Sequence, residues 1–374
     1  MNACMRAAIL SSPLAMLLAL MLLASLPGCR SDPQSSGAKP KDAAAAAVQA
    51  PAPAWVAALE AAAARIDDGM PVDFGLYVRR VGEEASVDSG RERRWYLSST
   101  IKIPVAIAVL EQVDAGQRSL DDELVLAQSD FIDGAGDMLA QKPGTRYSLA
   151  TLIEKSLRDS DSTATDMLVR LLGEAHLNQR VRHWVGDGFG PITSIVQVRY
   201  DAYGPLHPGV AKLSNMDLLR LRNAAAGEPR LAALAARLGV PRSELNAKDI
   251  DTVFDTYYAT GRNSATLPAF ALLLEKLVRG ELLSEASTQR LLDHMSRITT
   301  GTRRVQAGLP AGIVFAQKTG TQIQRACNVG VLAPEHGADG AVLVVACAEN
   351  FGELANAERA FQQLGTALGE SGVL

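Results

Sequence analysis

Strand-forming patterns in this chain of 374 residues fall only near its two ends, and that separation limits the folds open to it. Near the start, Phe74-Gly75-Leu76-Tyr77-Val78, a turn at Val81-Gly82-Glu83-Glu84 and then Ala85-Ser86-Val87 read as a hairpin. Before it, Val56, Leu59 and Ala63 recur at helical spacing from Trp55 to Ile66, and Asp67-Asp68-Gly69 stops that helix. Helical patterns then dominate from Ile103 to about Leu292, with turns at Lys142-Pro143-Gly144 and at Gly186 to Pro191. Strands return at Ile313 to Lys318, Val329 to Ala333 and Ala341 to Cys347, before a last helix around Leu354 to Leu368. The early hairpin and the late strands must therefore share one antiparallel sheet, while the middle packs as a lobe of its own. This is an α+β fold, an antiparallel sheet flanked by helices plus an all-α lobe, with a cleft expected between the two.

The N-terminus carries a different signal. Met1 to Arg6 holds one positive charge, an apolar run follows through Leu10, Leu14, Leu17, Leu18, Leu20, Leu22 and Leu23, and Leu26-Pro27-Gly28-Cys29 ends it. Ser11, Ser12 and Pro13 interrupt the run, which favours an export signal over a membrane-spanning anchor. The tetrapeptide resembles a bacterial lipobox, in which the cysteine is acylated and becomes the mature N-terminus, although Pro27 is not the usual residue there. Residues 1–28 then read as a lipoprotein signal peptide and Cys29 as the lipidation site. Residues 29–54, with Asp32-Pro33, Lys39-Pro40, an alanine run and Pro51-Ala52-Pro53, read as a flexible tether, and the folded domain runs from 55 to 374. The expected product is an exported lipoprotein, membrane-anchored through Cys29, facing the periplasm, and a monomer.

Composition excludes several classes of function. With 48% hydrophobic and 21% charged residues the chain can bury a core, and a net charge of -4 with mixed signs offers no basic stripe to a nucleic acid. Of four cysteines only Cys327 and Cys347 belong to the folded part, and His176, His183, His207, His294 and His336 lack ligand spacing. No metal and no cofactor is expected. Cys327 and Cys347 lie about equally far from a turn near Gly337, so a hairpin would oppose them, either as a disulfide or as two small buried hydrophobes.

Three short segments carry chemistry. Ser99-Thr100-Ile101-Lys102 precedes an almost wholly apolar stretch, Ile103 to Leu110, and Pro104 is tolerable only in a first helical turn. The serine and lysine would share one face at the start of a buried helix, where a desolvated Lys102 could take the Ser99 proton. Taken alone, the pair reads as a capping serine and a lysine reaching to solvent, because Ser-x-x-Lys is common by chance. Ser160-Asp161-Ser162-Thr163 leads into a second helix, whose cap could be Thr163 with Asp166 three residues on. Lys318-Thr319-Gly320-Thr321 closes the strand that starts at Ile313.

In this order the three segments resemble the Ser-x-x-Lys, Ser-Asp-Asn and Lys-Thr-Gly set of class A β-lactamases and penicillin-binding proteins. Lys142-Pro143-Gly144-Thr145 and Arg279-Gly280-Glu281-Leu282-Leu283 also look like family text, and the resemblance runs from about Trp55 to the C-terminus. It implies that Ser99 is the nucleophile, that Lys102 helps deprotonate it and that Ser160 passes a proton to the leaving nitrogen. Ser162, Lys318, Thr319, Gly320 and Thr321 would bind substrate, with the backbone N–H groups of Ser99 and Thr321 as the oxyanion hole. The implied substrate is a β-lactam or a cell-wall peptide.

Two departures from the family pattern stand out. Ser162 replaces the asparagine of the middle motif. The glutamate of the family's Glu-x-x-Leu-Asn loop has no clear counterpart, because Glu244-Leu245-Asn246 puts Arg242 where it should stand. The gap from Ser160 to Lys318 is also longer than usual, which places an insertion within about 186–258. Glu244 and Asp251 are the candidate deacylation bases, with Asp255 beside them. A β-lactamase, a D,D-peptidase and a binder that does not turn over all remain open on these residues.

Overall fold

The computed structural model describes residues 52–90 and 93–374, so the signal segment, Cys29 and nearly all of the tether lie outside the described residues. In chain order the helices are α1 (Ala54–Gly69), α2 (Lys102–Asp114), α3 (Leu149–Leu157), α4 (Ser162–Leu172), α5 (Glu174–Val185), α6 (Ile195–Tyr203), α7 (Asn215–Arg220), α8 (Glu228–Leu238), α9 (Ile250–Tyr258), α10 (Leu267–Val278), α11 (Glu285–Ser296), α12 (Val305–Gly308) and α13 (Leu354–Ser371). The strands are β1 (Asp73–Arg80), β2 (Ser86–Ser89), β3 (Trp95–Tyr96), β4 (Glu123–Val125), β5 (Arg146–Ser148), β6 (Ser264–Ala265), β7 (Phe315–Gln322), β8 (Arg325–Leu332) and β9 (Val342–Glu349).

One five-stranded sheet unites the two ends of the chain in the order β2-β1-β9-β8-β7, with every pairing antiparallel. Alternation along its strands explains how both faces are covered. Phe74, Leu76 and Val78, together with Val342, Val344 and Ala346, point to one face and pack under α1 and α13 with Leu59, Phe361 and Leu364. Tyr77, Val329, Val331, Leu343 and Val345 point to the other, where Ile103 to Leu110 of α2 and Phe270 of α10 join them. Every residue from Lys102 to Leu110 is buried, so the apolar run after Ser99 is a helix enclosed on all sides.

Strand β7 starts at Phe315, two residues later than the expected Ile313, and continues beyond the expected end at Lys318. It runs on to Gln322 and pairs with β8 through Gln322↔Arg325 across a two-residue turn, in which Gln324 takes a left-handed backbone. Threonine favours extended backbone, and the neighbouring strand supplies the pairing, so polar residues continue the strand. β7 is an edge strand, with its outer side toward the helical lobe.

A third core belongs to the region in which the sequence places an insertion. Val198, Tyr203, Leu206, Leu231, Leu234, Phe254 and Tyr257, from α6 to α9, pack around Tyr96. The Tyr96 ring lies 5.7 Å from that of Tyr257 and 4.5 Å from that of Tyr258.

Of the two readings open for the cysteines, the structure has the disulfide: Cys327 and Cys347 sit opposite each other on β8 and β9 with Cα atoms 4.0 Å apart and are bonded. Such close opposition suits a non-hydrogen-bonded antiparallel pair. Titration of the protein in denaturant without reductant is expected to find no free thiol at these positions; two would show that the bridge does not form.

Candidate active site

The nucleophile candidate lies in a 3-10 turn, Ser98–Ile101, that runs directly into α2. Thr100 ties the turn down, its hydroxyl donating to the Leu97 carbonyl at 2.8 Å. Ser98 has φ near 50°, a left-handed backbone that non-glycine residues adopt at a cost of about 1–3 kcal/mol. Ser160 and Asn263 share that conformation, and all three line one cleft with Ser99. The first N–H groups of a helix have no intrahelical acceptor, so the Ser99 amide is available to a ligand.

Lys102 is fully buried one turn further on. Its ammonium donates to the Ser160 carbonyl, to Ser160 Oγ at 3.2 Å and to Ser162 Oγ at 3.4 Å, and is not hydrogen-bonded to Ser99. Burial lowers its pKa to about 7, against the opposing pull of the Asp161 and Asp166 charges. Lys318 reaches the same hydroxyl from β7, with Nζ 2.8 Å from Ser160 Oγ, and its pKa falls well below the ordinary value through burial and then the charges of Lys102 and Arg304. Ser160 thus receives one lysine from each side of the cleft.

The middle segment is fixed by Asp161, not by Thr163. Asp161 is the N-cap of α4, with Oδ1 accepting from Ala164 N at 2.8 Å and Oδ2 from Met138 N at 2.9 Å. The cap holds Ser160 and Ser162 at the helix start, where both line the cleft.

Gly320 explains how β7 meets the nucleophile turn. A Cβ there would fall 2.5 Å from the Leu97 carbonyl oxygen and 2.9 Å from the Ser99 nitrogen, so any side chain would push the two backbones apart. The contact sets the Thr321 peptide beside that of Ser99. Thr319 and Thr321 line the cleft, and Thr319 Oγ1 lies 2.8 Å from Thr300 Oγ1.

Several contributors escape sequence reasoning. Arg304, almost fully buried behind β7, donates to the Gly320 and Cys327 carbonyls at 2.9 Å and to Thr321 Oγ1. Burial lowers its pKa to about 10. Arg303 and Arg304 are adjacent in sequence, and only the fold shows which one turns inward; the nearby Thr300-Gly301 turn against β7 was the available signal. Across the cleft, Arg199 on α6 holds Asp133 through paired hydrogen bonds of 2.8 and 3.2 Å. The cleft encloses about 270 Å³.

The predicted deacylation bases do not join this group. Glu244 is exposed on a 3-10 turn beside Ser243 and Asn246, in a separate surface depression, and Asp251 is exposed on α9. Asp255 is occupied elsewhere, with Oδ1 2.9 Å from Arg325. The region from α6 to α9 carries these three residues away from the cleft, which Ile195, Val198 and Arg199 line instead. Among the described residues no cluster of His, Cys, Asp or Glu could hold a metal ion.

An antiparallel sheet edge and a helical lobe that bring a serine, two buried lysines and a second serine into one cleft define a serine hydrolase site. The sequence model of the beta-lactamase enzyme family matches residues 58–197 and 216–371, and the chain belongs to that family. A beta-lactamase of Mycobacterium tuberculosis is 28% identical over 306 residues, 82% of this chain and 79% of the relative. Among solved structures, a beta lactamase from Xanthomonas campestris pv. campestris superposes with a TM-score of 0.61 at 22% identity, covering 83% of this chain and 96% of that one. A mutant of PBP-A, solved as an acyl-enzyme complex with penicillin G, gives a TM-score of 0.60 at 21% identity, covering 84% and 96%.

Proposed function

We propose that the protein opens β-lactam amide bonds through an ester on Ser99. Ser99 Oγ attacks the lactam carbonyl as its proton passes to neutral Lys102; the C–N bond then breaks, and Ser160 delivers its proton to the nitrogen while taking one back from Lys102, 3.2 Å away. The backbone N–H groups of Ser99 and Thr321 stabilise the developing oxyanion, and Lys318 with Thr319 binds the substrate carboxylate, Gly320 keeping the strand close and Ser162 facing the acyl side chain. The observation that carries this reading is the convergence of Lys102 and Lys318 on Ser160 Oγ, at 3.2 and 2.8 Å, in the cleft that Ser99 lines. Because Lys102 titrates near 7 and acts as base only when neutral, acylation rises with pH through that value. A reporter β-lactam incubated with the purified domain tests the reading: colour change with a transient mass adduct supports it, and neither event overturns it.

A D,D-peptidase acting on cell-wall peptides uses the same groups for acylation, and one observation favours it as a second reading. The only carboxylate that lines the cleft among the described residues is Asp133, whose oxygens are taken by Arg199. Release of a D-alanine from a peptide, without turnover of the reporter, would select this reading.

Export and lipid anchoring at Cys29 complete the proposal. The apolar run ending in Leu-Pro-Gly-Cys motivates it, and the Cys327–Cys347 bridge fits an oxidising compartment. The full chain is expected to sediment with membranes and the Cys29→Ala variant to carry no lipid; an unlipidated, wholly soluble full chain would count against anchoring.

A further inference from the structure

The two N–H groups that would receive the oxyanion belong to different segments of the chain. Ser99 follows β3 through the turn at Ser98, and Thr321 lies near the end of β7, just before Gln322 and the turn into β8. The close approach of Gly320 to the Leu97 carbonyl and the Ser99 nitrogen limits how near the two segments can come. On the lobe side, a side chain from a third element joins them. Tyr258 is the last residue of α9. Its ring lies 4.5 Å from that of Tyr96, three residues before Ser99, and its hydroxyl donates to the Ile323 carbonyl at 2.8 Å, two residues after Thr321.

Both ends of this bridge are secured. Tyr96 is 6% exposed, pairs with Ser264 on β6 and also meets the Tyr257 ring at 5.7 Å. Ile323 packs against the core of α6 to α9. Arg325, the first residue of β8, lies 4.6 Å over the Tyr258 ring, and its Nη2 donates to Asp255 Oδ1 at 2.9 Å. Burial pushes the Tyr258 phenol up against the pull of the Arg325 charge, so the group keeps its proton and donates near neutral pH. A phenylalanine would fill the same space beside Tyr96 but could not hold the Ile323 carbonyl. The hydroxyl thus adds a tie that packing alone does not require.

We propose that Tyr258 is a positioning residue for the oxyanion hole: its ring holds Tyr96, its hydroxyl holds the turn between β7 and β8, and together they set the spacing of the Ser99 and Thr321 N–H groups. The proposal rests on those two groups receiving the substrate carbonyl oxygen. Tyr258 lines no part of the cleft and touches no reacting atom. It acts beyond the end of β7, through one hydrogen bond and one ring contact, and leaves the core packed around that strand unchanged. Removing an oxyanion donor costs about 10²–10³ in rate, and displacing one costs part of that.

Tyr258→Phe is compared with wild type by stopped-flow acylation, by infrared spectroscopy of the penicillin ester and by thermal unfolding. The ester carbonyl band moves to lower frequency as the hydrogen bonds to it strengthen. The variant is expected to acylate about tenfold more slowly and to show that band at higher frequency, while the affinity for intact penicillin, measured in the Ser99→Ala background, stays at its wild-type value. A purely structural role would lower the unfolding temperature and leave the band and the acylation rate constant in place, and that result overturns the proposal. Backbone NMR of the unliganded protein needs no ester. Movement of the Ser99 and Thr321 amide resonances in Tyr258→Phe, with those of α2 and β9 unchanged, supports the proposal, and unmoved resonances overturn it. If no penicillin forms an ester, the acylation reading fails while this measurement still decides the positioning, so the two failures remain distinguishable.

Discussion

Ser99→Ala is expected to lose the covalent penicillin adduct completely and to lower β-lactam turnover by about 10⁴–10⁶-fold, the range seen when the nucleophile of a serine hydrolase is removed. The size follows from the arrangement around it. Lys102, Ser160 and Lys318 are held by hydrogen bonds to one another and to Thr319, none of which involves the Ser99 side chain. The variant should therefore fold and bind as wild type does while lacking the atom that forms the ester. Intact-mass spectrometry after incubation with a penicillin reads the result directly: one adduct on wild type, none on Ser99→Ala. An equal adduct on the variant would move the nucleophile elsewhere.

The second large effect concerns the fate of the ester. Hydrolysis needs a base that aims water at the acyl carbonyl, and a positioned general base contributes about 10²–10⁴ in rate. Glu244 and Asp251 are exposed outside the cleft, and Asp133 is engaged by Arg199. Ile195 and Val198 add apolar surface to the cleft lining. Acylation is accordingly expected to outrun deacylation, giving a stopped-flow burst of about one product per enzyme before a slow steady phase. Linear, rapid turnover without a burst, abolished by Glu244→Gln, would show that the outer lobe closes onto the cleft during catalysis.

Legibility in the sequence followed the range of the interactions involved. Ser99 and Lys102 are one helical turn apart, and the strand-helix-strand order demanded a shared sheet, so both were readable from local pattern. The opposition of Cys327 and Cys347 was readable too, since two strands and a turn fix a register, but whether the sulfurs bond was not. Arg304, Arg199 and Asp166 could not be found this way. Each acts across a large sequence distance, on Thr321, Asp133 and Ile195 respectively, and their neighbours in sequence give no hint of the direction in which they turn. The extension of β7 from Lys318 to Gln322 was not legible for a related reason: its partner strand, not its own apolarity, keeps it extended.

The separate core of α6 to α9 has a consequence for tolerance to change. That core meets the nucleophile region through Tyr96, and its other buried members all lie between Val198 and Tyr257. The family model leaves 198–215 unmatched, while the segments bearing Ser99, Ser160 and Lys318 fall inside it. Substitutions, insertions or exchanges in this lobe can be absorbed by its own packing without opening cavities around α2 or β7. A change confined to this lobe would alter the cleft wall that Ile195, Val198 and Arg199 form, while leaving the packing around α2 and β7 in place.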